Sequence, residues 1–102
     1  MKEADKMSSW RERHAAQYAE VALAVTLVPP HITSNTLVAW RWAKDRLMRR
    51  EGEGHCFHLH RDRGGISCSF AKPEWSGDHC GEAMPTGALA IVQAVLEYEH
   101  GL

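Results

Sequence analysis

No apolar run in this chain of 102 residues approaches the about 18 to 20 residues that cross a bilayer. A membrane-spanning helix is therefore not expected. The opening MKEADKMSSW is charged and has no apolar segment behind it, unlike a secretory signal. The expectation is a soluble, cytoplasmic protein. Cysteine is scarce and odd in number: Cys56, Cys68 and Cys80. Without a secretory signal, that argues for reduced thiols and against a disulfide framework. Internal repeats, low-complexity segments and linkers are missing too, so residues 1–102 read as a single domain with one core.

Catalytic signatures are equally sparse. No nucleophile, base and orienting group stand at spacings that suggest catalysis. The glycines of GEG and RGG lack the lysine and the following helix of a phosphate-binding loop. The chain therefore reads as a non-enzyme without a cofactor. A large net charge is absent as well, since the total is −1, but the charge is unevenly placed. RWAKDRLMRR, residues 41–50, carries five basic side chains (Arg41, Lys44, Arg46, Arg49, Arg50) and one acidic, Asp45. Residues 51–102 carry three basic and eight acidic side chains, a polarity that suits a charged partner.

What is present is an alternation of helical and strand patterns. Ser9 and Glu12 have capping-box spacing. They open a predicted helix over Trp10–Val28 whose inward stripe is Trp10, His14, Tyr18, Val21, Val25 and Val28. Pro29 and Pro30 end it. A second helix is predicted from Asn35 or Thr36 to about Glu51, capped by Ser34 or Thr33, with Leu37, Trp40 and Leu47 on its apolar side. Both 20–28 and 36–42 are also rich enough in β-branched and aromatic residues to be strands.

GHCFHLHRDRGGISCSF, residues 54–70, reads as a β-hairpin turning at Asp62–Gly65. Pairing Arg61 with Ile66 sets Leu59 opposite Cys68 and Phe57 opposite Phe70, an apolar face. Cys56, His58, His60, Ser67 and Ser69 then share the other face, so Cys56 and Cys68 point apart. Residues 72–84 read as a loop with room for one short strand. A last helix starts near Pro85 or Thr86, and GALAIVQAVLEYEHGL is apolar enough to cover the hairpin. The fold class is α+β: two N-terminal helices, a small antiparallel hairpin sheet, and a C-terminal helix packed on one face.

Three groups of residues are candidates for function. Cys56, His58 and His60 step roughly 6.5 to 7 Å apart along one strand face, with His79 or Cys80 as a further zinc ligand. The ligands do not come in the close pairs of known zinc modules, so no metal site is assigned. Arg41, Trp42, Arg46, Arg49 and Arg50 on the second helix, with His58 and His60 on the open hairpin face, are the candidate partner-binding residues. Glu74, Asp78 and Glu82 form an acidic alternative.

TSNTLVAWRWAKDRL, residues 33–47, with the hairpin behind it, resembles the recognition helix and wing of excisionase-like winged helix-turn-helix proteins. That resemblance implies a polar start at Thr36, core positions at Leu37 and Trp40, and phosphate contacts from Arg41, Lys44, Arg46 and Arg49. The whole chain, through its hairpin, its terminal helix and its small single domain, resembles the phage-encoded anti-CRISPR inhibitors. This second resemblance implies a rigid surface that occludes a subunit of a bacterial CRISPR ribonucleoprotein in the host cytoplasm, as monomer or homodimer. Charge reversal at Arg46 and Arg49 is then expected to weaken partner binding and leave the fold intact.

Overall fold

The computed structural model describes residues 10–47, 56–71 and 76–102. It is an α+β domain in chain order α1 (Ala15–Leu27), α2 (Pro30–Thr33), α3 (Thr36–Leu47), β1 (Cys56–Asp62), β2 (Gly65–Ala71), β3 (His79–Cys80) and α4 (Gly87–Glu99). Both ambiguous segments, 20–28 and 36–42, are helical except for Val28, which is extended.

The first helix does not run unbroken from Trp10. Helical turns over 10–13 give way at His14, which precedes α1 with φ −113° and ψ 19°. His14 stacks on the Trp10 indole at 3.9 Å, and its Nδ1 lies 2.8 Å from the Trp10 carbonyl oxygen. The ring thus competes with the backbone for that acceptor, as short polar contacts do at helix ends. The proposed Ser9 cap lies outside the described residues. Val28 is the C-cap of α1, extended ahead of the two prolines. Pro30 then occupies the first turn of α2, where its missing N–H costs nothing.

The cap of α3 is Asn35, in place of the expected Ser34 or Thr33. Its Oδ1 accepts from Leu37 N at 3.1 Å and from Val38 N at 3.2 Å, satisfying two otherwise orphaned donors. The inward face of α3 also differs from expectation. Ala39, Ala43 and Leu47 are buried, whereas Leu37 is 57% and Trp40 37% exposed. Small side chains at successive turns let the α3 backbone come close to α4, and the larger residues are displaced to the outside.

The hairpin has the expected register: Phe57 faces Phe70, Leu59 faces Cys68 and Arg61 faces Ile66. Asp62 Oδ1 accepts from Gly64 N at 2.8 Å, closing the turn. Gly65 has φ +123°, and a Cβ there would lie 2.7 Å from the Met84 carbonyl oxygen, so both conformation and space require glycine. The loop of 72–84 supplies β3, which pairs with β2 (Ser69 with Cys80, Phe70 with His79). An isolated bridge joins Ile66 to Met84.

The centre of the molecule is α4. It packs against α1, α2, α3 and all three strands, and every residue from Ala90 to Glu97 is buried. A helix apolar on all sides belongs in the interior. Thr86 caps it by accepting from Leu89 N. Phe70, fully buried, meets Tyr98 edge-on at 5.4 Å and Phe57 at 5.6 Å, joining the sheet to the helix through aromatic contacts.

Candidate functional site

Helix α3 turns Leu37, Trp40, Arg41 and Lys44 away from the core. Their spacing of three and four residues puts them in one stripe. The Lys44 ammonium sits over the Trp40 ring, 4.3 Å from its centroid, a cation–π arrangement. Arg41 is exposed beside it. This stripe offers an aromatic plate, two cations and an aliphatic end on a rigid element. Of these, tryptophan and arginine are the types that dominate interface hot spots.

The remaining basic residue of α3, Arg46, contributes to the fold. Arg46 Nε donates to Glu99 Oε2 at 2.5 Å, its guanidinium carbon is 5.2 Å from the Trp42 ring centroid, and Trp42 packs against the core. The hydrogen bond to Glu99 raises the Arg46 pKa further above its ordinary value. Arg46 and Trp42 therefore tie α3 to α4, Arg46 from an exposed position and Trp42 from a half-buried one. Arg49 and Arg50 lie outside the described residues.

His58 and His60 are exposed on the open face of the hairpin, opposite Ser69 and Ser67. Cys80 pairs with Ser69 and belongs to that face, but His79 pairs with Phe70 and belongs to the core side. The His79 ring lies 5.1 Å from Phe70 and 5.6 Å from Tyr98, and its Nε2 is 3.1 Å from the Ala94 carbonyl oxygen. Strand alternation thus removes His79 from any set formed with His58 and His60. Among the described residues no three histidine, cysteine or acidic side chains converge as metal ligands; the Cys56 side chain is not among those described. Cys68 is buried, and its thiol is pushed up to about 12, chiefly by burial, which makes it unreactive.

A cleft of about 250 Å³ opens between α1 and the segment leading to α4. Tyr18, Ala22, Val25 and Met84 form its walls, and Arg11, Glu82 and Gln93 supply its polar lining. Arg11 forms an ion pair with Glu82 and lies over the Tyr18 ring. The Glu82 backbone N–H donates to Glu97 Oε2 at 2.8 Å, and Gln93 hydrogen-bonds to the same carboxyl group. The cleft's charges are matched internally. Of the acidic residues considered, Glu82 is paired with Arg11, Asp78 is exposed, and Glu74 lies outside the described residues.

Trp40 and Leu37 are the members of the stripe that were expected in the core, whereas Arg41 and Lys44 were expected to face outward. The signal for them is the alanine pair Ala39 and Ala43: one inward seam of small residues fixes which side of the helix is outward. No known protein family matches the chain, and neither a curated protein nor a solved structure does.

Proposed function

We propose that this protein is a non-enzymatic inhibitor that docks through the outer face of α3 onto a bacterial CRISPR effector ribonucleoprotein and blocks target recognition. The observation that carries the reading is the Trp40–Lys44 stack with Arg41 beside it. Cations on a rigid aromatic plate suit the exposed carboxylates or RNA phosphates of such a complex. His58 and His60 provide a second, polar contact area on the hairpin. The test is inhibition of target-DNA binding by a purified effector complex. Wild type is expected to inhibit stoichiometrically, and Trp40→Ala combined with Arg41→Glu and Lys44→Glu is expected to lose at least about tenfold in affinity. Equal inhibition by both proteins would remove α3 from the mechanism.

A winged-helix DNA-binding protein is the second reading. It is favoured by the order of elements, since α2, a two-residue turn at Ser34 and Asn35, and α3 precede a hairpin. It departs from the winged-helix pattern at Leu37 and Trp40, which are exposed, and at Arg46, which is held by Glu99. This reading predicts duplex binding that weakens steeply with salt; the inhibitor reading predicts none.

A further inference from the structure

Helix α1 is as apolar as the central helix. Its thirteen residues, AAQYAEVALAVTL, contain one charge, Glu20. Only Val21 is fully buried, however, and among the described elements α1 packs on α4. The opposite side consists of Ala15, Ala16, Ala19, Ala22, Leu23, Thr26 and Leu27, all exposed. Leu23 is 64% and Leu27 75% exposed. An ordinary surface helix carries polar residues on that side.

We infer that this face is a self-association surface, covered by α1 of a second copy of the chain in an antiparallel, two-fold arrangement. The argument is one of shape and area. Side-chain size is graded along the helix, with alanines at the N-terminal half and leucines at the C-terminal half. A two-fold axis near Val21 reverses one copy against the other, setting Leu23 on Ala19 of the second copy and Leu27 on its Ala15. Large residues then fill the spaces left by small ones at both ends, as an isologous interface requires. A parallel arrangement would oppose leucine to leucine and leave the alanine half hollow.

A helix about 20 Å long offers on the order of 400 Å² of accessible face, half of the roughly 800 Å² per partner in a standard interface. The dimer therefore belongs to the small, concentration-dependent class. Glu20 lies at one border of the seam, near its own equivalent across the axis. Its charge opposes association.

Sedimentation velocity of the full chain from about 5 µM to about 500 µM, the range of a small transient interface, tests this. The weight-average mass is expected to rise from 11.5 kDa toward twice that value. Leu23→Glu and Ala19→Glu are each expected to weaken association at least about tenfold, while Glu20→Gln strengthens it and Leu37→Glu on α3 leaves it unchanged. All four positions are exposed, and circular dichroism confirms that each variant is folded. A wild-type chain that stays monomeric throughout would overturn the inference. So would a dimer that survives both Leu23→Glu and Ala19→Glu.

Discussion

Glu97 is 3% exposed, a carboxyl group in an interior that disfavours its charge. Burial pushes its pKa upward, while the Gln93 hydrogen bond, His79 and Arg11 oppose the rise. Because the folded-state value lies above the unfolded one, the native chain binds a proton first as pH falls, so acidification through the carboxylate range adds stability. His79 has the opposite sign. Burial lowers its pKa below 6.5 despite Glu97 and the Ala94 carbonyl, so its contribution is present above 6.5 and is lost as pH falls through its folded value. Glu97→Gln keeps an acceptor for Glu82 N and removes the buried charge. Its melting temperature is expected to equal or exceed wild type at neutral pH, with the advantage shrinking as pH drops toward 4.5, the ordinary value of the carboxyl. In that variant the decline contributed by His79 below pH 6.5 stands alone. Thermal melts from about pH 8 to about pH 4 check both signs; an advantage that widens on acidification would refute the assignment. Gly81 is a purely steric counterpart. A Cβ there would lie 2.6 Å from Ala94 Cα, so Gly81→Ala must push β3 away from α4 and is expected to cost roughly 1 to 3 kcal/mol in chemical denaturation.

Helix α3 shows how far pattern reading reaches at the scale of an element. Its extent was legible from the residues around it up to Leu47, beyond which eight residues, 48–55, lie outside those described. Its facing was not, because hydrophobic periodicity gives weight to leucine and tryptophan, whereas close helix packing here uses alanine. Ala43→Leu is expected to destabilise by roughly 1 to 3 kcal/mol through overpacking, and Leu37→Ser by no more than about 0.5 kcal/mol, as for other surface changes. Urea denaturation of the two variants reverses that order if the conventional apolar side is the buried one. The hairpin was legible in full register, since alternation and a glycine turn leave one pairing that gathers Phe57, Cys68 and Phe70 on a single face. The buried pair Gln93 and Glu97 was hidden in the sequence. Their burial follows from packing on every side of α4, including the loop at Glu82, and no local pattern reports those neighbours.

Across the whole molecule, α4 separates two surfaces. Helices α1 and α3 both pack on α4, and among the described residues they make no packing contact with each other. The apolar face of α1 and the cationic stripe of α3 are therefore available independently. Association through α1 would carry two copies of the Leu37–Trp40–Arg41–Lys44 stripe on one particle, and a partner presented at high density would be held by both, raising apparent affinity without any new contact. Two variants separate these contributions on a surface coated with the effector complex. Leu23→Glu is expected to keep the affinity of a single site at low coating density and to lose about tenfold or more of the retention seen at high density. Arg41→Glu with Lys44→Glu should lose binding at both densities, with its self-association intact. Raising ionic strength should reproduce the second defect and not the first, because screening weakens exposed charge pairs while apolar contacts between alanine and leucine persist. If Leu23→Glu instead removes binding at low density, the α1 face itself contacts the effector, and the two surfaces act as one.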